Sequence, residues 1–342
     1  MREKRTTIKD VASLADVSAA TVSIVLNGKG DSVPDSTKER IRRAAAKLNY
    51  MPDFNARAMV TRRTNIIGII APDISNSFFA ELVRCIQLEL NQYHYDIILC
   101  NSEEKTENDL RYIRLLAGRN VDGLILTMSA ESLTDENEPL MRKTLADTHV
   151  PYLFLDRYYK GDKPKVVVDN AGSSYQIAKY LLDCGHTRIG VITGPMNLNS
   201  SYNRMRGLKK AMEEKGLTLD PECVYEGRYD FESGVKGADL LVGKGVTAIF
   251  AFSDMQAYGI YESVRRQGKR VPEDVSVIGF DDSFYSSLLE TPLTTVRQPL
   301  REMAREACRM ILDLVNGGST DCEARLTAEV IVRSSVKKLK SD

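Results

Sequence analysis

Residues 7–30 read TIKDVASLADVSAATVSIVLNGKG, and their reading decides the fold of the N-terminal part of the chain. Ile8, Val11, Ala12, Leu14 and Ala15 recur at the spacing of one helical face. Asp16-Val17 makes a tight turn, and Ser18 can cap a second helix running to Asn27. Val22, Val25 and Leu26 are then expected to pack back on Val11 and Leu14. A third amphipathic stretch, roughly Asp35 to Asn49, supplies Ile41, Ala44, Ala45 and Leu48. Three short helices with a brief turn between the first two predict a helix-turn-helix. The second helix carries no charge and is covered in methyl groups. A helix so short is marginal alone, so something packs behind it and something is read in front of it.

The whole chain has 342 residues, 43% hydrophobic and 27% charged, which suits a globular protein of two or three domains. Its longest apolar runs, such as Ile66–Ala71, are far too short to span a bilayer. The charged start Met1-Arg2-Glu3-Lys4-Arg5 offers no secretory apolar region, so a cytoplasmic protein is expected. Six scattered cysteines without a CxxC pair fit reduced structural thiols. The formal charge is zero but unevenly spread. Residues 1–65 hold 13 Lys/Arg against 7 Asp/Glu, net +6, and the remainder holds 34 against 40, net −6. A basic head on an acidic body is the footprint of a protein that sets one end on a polyanion.

Residues 51–64 separate the head (1–50) from the first strand. Pro52 can start a helix and Asp53 suits its positive end, but the helix spans only about two turns and should fold on binding. Arg57, Arg62 and Arg63 suit phosphate contacts. From residue 65 onward, strand-length apolar runs alternate with amphipathic stretches. The runs are Ile66–Ala71, Asp96–Cys100, Val121–Thr127, Val150–Leu155, Arg188–Thr193, Val246–Phe252 and Val275–Phe280. Such alternation predicts parallel sheets covered on both faces, here in two series and therefore two lobes. Ligands of such sheets bind beyond the carboxyl ends of strands. That rule points to the loops starting near Pro72, Asn101, Asp156, Gly194, Ser253 and Asp281. Phe78 and Phe79 can stack on a ring face, Tyr229 adds an aromatic wall, and Arg204 and Asp281 on cleft loops can bracket a polyhydroxylated ligand.

The stretch TIKDVASLADVSAATVSIVLNGKG, followed by KLNYMPDFNARAMVTRRTNIIGIIAPDISNSFFAEL, resembles the lactose-repressor/galactose-repressor family from Thr7 to the end of the chain. The resemblance implies an all-α helix-turn-helix head and an α/β periplasmic-binding-protein-like core of two doubly wound parallel-sheet lobes. It implies a hinge over 51–64 and a core over 65–342. The N-lobe is expected at about 65–160 plus 293–322, and the C-lobe at about 161–292 plus 323–342. It also implies a dimeric, cytoplasmic repressor of double-stranded DNA controlled by a small-molecule effector, with no cofactor.

By the same resemblance, Ser18, Thr21, Ser23 and Asn27 contact phosphates, while Ala19, Ala20 and Ile24 read base edges. Thr7, Tyr50, Asn55 and Arg57 complete the DNA set, and Met59 stands where relatives wedge a Leu into the minor groove. Many relatives carry Arg where this chain has Ile24, so this helix is expected to read thymine methyls and shape. Effector positions fall on Phe78, Phe79, Asp156, Leu198, Ser200, Arg204, Tyr229, Ser253 and Asp281. Purine-binding relatives carry Arg at the place of Leu198, which leaves a sugar the favoured effector, with a nucleobase or a protein partner as alternatives.

An enzyme is not expected. Asp281-Asp282 would point to opposite faces of a continuing strand, His94, His149 and His186 lack metal-ligand spacing, and phosphate-cradling glycine motifs are missing. Asp254 is expected to cap the helix after it, and His186 to be structural.

Overall fold

The computed structural model describes residues 6–26, 31–51 and 63–339, and the chain divides into two compact units, Met1–Thr64 and Asn65–Asp342. In the first unit α1 (Ile8–Ala15), α2 (Ala19–Leu26) and α3 (Asp35–Lys47) enclose a small core. Val11, Ala12, Ala15, Val22, Val25, Ile41, Ala44 and Ala45 are its buried members. Leu14 was expected there, but it is 45% exposed. It lies three residues beyond Val11 yet on the outer shoulder of α1, because Ala12 and Ala15 already fill the close contact. The Thr7 amide and hydroxyl both donate to the Asp10 carboxylate, each at 2.7 Å, which fixes the start of α1. Asp16 adopts a left-handed backbone (φ 49°) in the tight turn that follows. Ser18 Oγ accepts from the Thr21 amide at 3.1 Å and so caps α2. Arg40 Nε donates to the Ala15 carbonyl at 2.8 Å, pinning α3 to the end of α1.

In the second unit, β1 (Ile66–Ala71), β2 (Asp96–Asn101), β3 (Gly123–Leu126), β4 (Tyr152–Leu155) and β5 (Lys165–Val168) belong to one parallel sheet. A distant strand, Glu323–Leu326, joins its edge, giving the order Glu323–Leu326, β5, β4, β3, β1, β2. Helices α4 (Ser77–Asn91), α5 (Thr106–Gly118) and α6 (Glu138–Thr148) connect these strands.

The second sheet holds β6 (Ile189–Thr193), β7 (Val224–Glu226), β8 (Ala248–Ala251) and β9 (Ser276–Ile278), parallel in the order β7, β6, β8, β9. Helices α7 (Asn170–Asp183), α8 (Asn199–Glu214), α9 (Phe231–Leu241) and α10 (Asp254–Arg266) cover it. Beyond β9, Ile278 bridges Thr294 and Asp281 bridges Arg297, which brings β10 (Thr295–Arg297) alongside. The chain then returns through α11 (Leu300–Val315) and β11 (Glu323–Leu326), and β12 (Glu329–Ile331) pairs antiparallel with β10.

These pairings move the expected lobe boundaries. The division placed after residue 160 falls before β5 and has to move past that strand, because β5 pairs with β4 in the first sheet. Residues 293–297 lie against the second sheet, not the first. Residues 323–326 belong to the first sheet through β5, and the chain recrosses before β12. A short strand is placed by the backbone ladder it completes, and that ladder is invisible in a local apolar run.

Candidate functional site

The first candidate surface is α2. Ile24 is 44% exposed and Ala20 is exposed, while Val22 and Val25 face the head core. Ala19, Thr21 and Ser23 are half-buried at its margins. Ile24 therefore does not turn inward as a core residue. Tyr50 packs half-buried against the same core. Asn27, Asn55, Arg57 and Met59 lie outside the described residues.

The second site is a small cavity of about 20 Å³ between the lobes, lined by Phe78, Phe79, Asp156, Ser200, Arg204, Tyr229, Ser253 and Asp281. Eight of the expected effector positions thus converge on one space. They come from strand ends and helix starts of both sheets, as the rule for open α/β sheets requires. Phe78 and Phe79 open α4 with ring centroids 5.0 Å apart, edge to face. Tyr229 hydroxyl lies 3.1 Å from Ser200 Oγ and 2.7 Å from Ser201 Oγ. Gly194 makes room for that ring, since a Cβ there would fall 2.5 Å from it.

Two carboxylates reach the cavity. Asp281 is buried, takes a hydrogen bond from Gln298 Nε2 at 2.7 Å, and is pushed up to about 8 by burial, against the nearby Arg204 charge. Asp156 is also raised by burial, opposed by Arg157 and Arg204, and its Oδ1 has no hydrogen-bond partner. Arg204 was expected on a cleft loop. Instead it is buried on α8, donating to Asn170 Oδ1 at 2.8 Å and to the Phe252 carbonyl, with its guanidinium 3.6 Å from the Phe280 ring centre. It presents a fixed donor rather than a mobile one.

Leu198 departs from expectation. It is fully buried at the residue preceding α8 and is not among the residues lining the cavity. An apolar side chain in this place gains more from the lobe interior than from a polar cleft. Asp254 is structural but does not cap α10. Ser253 does, accepting from the Gln256 amide at 3.2 Å. Asp254 instead accepts from Ser283 N, Ser286 Oγ and Thr295 Oγ1, tying down the loop that carries Asp281. Asp156 does not pair with Arg157. Arg157, 1% exposed, pairs with Glu104 at 2.9 Å.

Asp282 is bound by Arg297 at 2.7 Å and Arg333 at 2.6 Å, so Asp281-Asp282 is no acid/base pair. His186 is buried between Thr247 Oγ1 (2.9 Å) and the Lys337 carbonyl (3.0 Å), and burial lowers its pKa. Asn76, Arg157 and Gln298 also line the cavity and were missed. Asn76 was readable as a cap of α4, whose Phe78 amide it accepts at 3.0 Å. Gln298 directly follows the short strand β10 and carries no local signal. Among the described residues no His/Cys/Asp/Glu group could hold a metal, and no helix is long and apolar enough to cross a membrane.

Residues 7–53 match the family of bacterial regulatory proteins called lacI, and residues 178–336 match the periplasmic binding protein-like domain. The HTH-type transcriptional repressor PurR of Vibrio vulnificus is 34% identical over 97% of this chain and 99% of its own. The structure of the transcriptional regulator CelR in complex with cellobiose is 30% identical, with a TM-score of 0.72 over 97% of this chain and 100% of that one. The Lac repressor dimer bound to operator and the anti-inducer ONPF is 25% identical, with a TM-score of 0.85 over 98% and 100%. The chain therefore belongs to the lacI family of bacterial regulatory proteins, and it is a DNA-binding transcriptional repressor with an effector-binding core and not an enzyme.

Proposed function

We propose that the effector is a sugar or sugar derivative bound between the lobes, and that it controls how tightly the head holds its operator. One observation carries this reading. Asp156, Asp281 and Arg204 line one cavity together with the aromatic side chains of Phe78, Phe79 and Tyr229. Carboxylates accept from neighbouring hydroxyls, a guanidinium donates to ring or hydroxyl oxygens, and aromatic faces cover the C–H surface of a sugar ring. The related CelR complex, which holds cellobiose, supports the class. The relatives named PurR favour a nucleobase as the second reading. Against it, Leu198 stands where the resemblance puts an Arg in purine-binding relatives.

A thermal-shift screen of monosaccharides, disaccharides and nucleobases tests both readings. A ligand at 100 times its Kd adds about 2.7 kcal/mol of stability. Stabilisation by a nucleobase alone replaces the sugar reading.

The regulator acts as a homodimer through two-fold symmetric heads on a near-palindromic operator. The Lac repressor dimer on its operator supports this reading. So does exposed apolar surface suited to a second copy: Leu88 on α4, Leu99 on edge strand β2, and Phe284, Tyr285 and Leu288 beyond β9. At the DNA the roles expected of Thr7, Ser18, Ala19, Ala20, Thr21, Ser23, Ile24 and Tyr50 are retained as proposals, as are those of Asn27, Asn55, Arg57 and Met59. Footprinting that protects a single asymmetric half-site contradicts the dimeric reading.

A further inference from the structure

Asn197 and Asn199 belong to the loop that opens α8, yet their side chains bond the backbone of the other lobe. Asn197 Nδ2 donates to the carbonyls of Ala130 at 2.7 Å and Leu133 at 3.3 Å, in the segment after β3. Asn199 Nδ2 donates to the Asp156 carbonyl at 2.9 Å, and Asn199 Oδ1 accepts from the Tyr158 amide at 3.4 Å. One side chain thus grips the backbone on both sides of Arg157. That turn is not relaxed. Asp156 holds a left-handed backbone at φ 65°, which a side chain-bearing residue adopts at a cost and keeps only where its surroundings enforce it. The first lobe contributes the Asp156 amide bond to the Val166 carbonyl at 2.9 Å and the ion pair of Arg157 with Glu104. The second lobe contributes Asn199. Two further bonds cross between the lobes, from Asn76 Nδ2 to the Tyr229 carbonyl at 3.2 Å and between the Ser77 and Ser283 hydroxyls at 2.9 Å. All of these bonds run between atoms of the protein itself.

We propose that Asn197 and Asn199 form a clasp that closes the lobes without a ligand, and that Asn199 is a positioning residue for Asp156. The carboxylate that the first lobe offers to the effector is then set by a side chain of the second lobe. Lobe closure and completion of the site become one event, so an open chain presents Asp156 in a turn that is free to relax. The link to the effector rests on the reading of the cavity given above, whereas the clasp itself does not.

The test uses the full-length protein without any added ligand. Dyes attached to non-canonical residues at positions 143 and 236, exposed sites on α6 and α9, report the distance between lobes by single-molecule energy transfer. Hydrogen exchange reports the amide of Tyr158. Asn197→Ala and Asn199→Ala should each lower the closed population severalfold, and Tyr158 exchange should rise with the opening. The rise should be largest, tenfold or more, in Asn199→Ala. Asn199→Asp keeps an acceptor for the Tyr158 amide but loses the donor to Asp156, so it should fall between Asn199→Ala and wild type. Asn197 is exposed and Asn199 half-buried, so these variants remove little packing. An unchanged lobe distance in both alanine variants overturns the clasp. Opened lobes with unchanged Tyr158 exchange overturn the positioning role. No sugar enters this assay, so a failed sugar screen and a failed clasp are separate results.

Discussion

At the residue scale, Ile24 is exposed on α2, and in the proposed role it offers the major groove only hydrocarbon. Such a surface packs on the C5-methyl of thymine and cannot donate to guanine O6 and N7. Selected operators should show A·T preference, or weak preference, at the pair it faces. Ile24→Arg should move that preference toward G·C by about 1–3 kcal/mol where the fork reaches both acceptors. In vitro selection with wild type and variant measures it, and a wild-type demand for guanine contradicts this register of α2.

Asp281 makes a pH prediction. Its carboxyl is pushed up to about 8 by burial, from an ordinary value of 3.8. The folded chain therefore holds a proton that the unfolded chain loses as pH rises through that window, and stability falls between those limits. Asp281→Asn should flatten the fall, with a residual slope left by Asp156 and Asp254, which burial also raises. A ligand hydroxyl bonds the ionised carboxylate best, so sugar affinity in wild type should increase as pH rises through about 8. Calorimetry across pH 6 to 9 checks both trends, and an affinity that declines with pH shows that Asp281 binds as the neutral acid.

At the scale of elements, burial decided legibility for most strands, although the buried β5 was missed and the largely unburied β2 was read. The strands β1, β3, β6, β8 and β9 are buried nearly throughout, so each left an apolar run in the sequence. The strands β7, β11 and β12 hold only exposed and half-buried residues, and they left none. With β5 and β11 unread, the lobe boundaries were misplaced, although the order of head, hinge and core was legible from motif and charge. The candidate cavity was legible wherever a residue ends a predicted strand or starts a predicted helix, as with Phe78, Asp156 and Ser253. Gln298 was not, because its place depends on Asp281, a partner 17 residues earlier. Gly194 shows the same non-local logic. A methyl group there would meet the Tyr229 ring at 2.5 Å, and the ring is already held by Ser200 and Ser201. Gly194→Ala should cost about 1–3 kcal/mol of stability from overpacking. It should also weaken sugar binding, because the aromatic wall must move. Thermal melting and sugar titration of one preparation separate the two losses, and normal values in both show that the loop shifts freely.

At the scale of the whole molecule, charge separates the two units. Residues 1–65 carry net +6 and the remaining residues net −6. Each Lys or Arg that neutralises a phosphate releases condensed counterions, so affinity falls with salt in proportion to the number of such contacts. The acidic core contributes repulsion instead, which weakens with screening. Full-length protein should therefore lose operator affinity steeply between 50 and 200 mM salt, by about 10³-fold or more if two heads make six to ten phosphate contacts. A fragment beginning at Asn65, which keeps the compact second unit, should show no operator binding at any of these salt concentrations. The contrast also bears on control by the effector. If the effector acts on how the heads are presented, it should change the affinity at fixed salt while leaving the log–log slope of the bound state in place, because the phosphate contacts are the same once formed. Titration of operator at several salt concentrations, with and without the sugar found in the screen, measures both quantities. A slope near zero shows that the basic head does not hold DNA through phosphates, and a slope altered by sugar shows that the effector changes the contacts themselves.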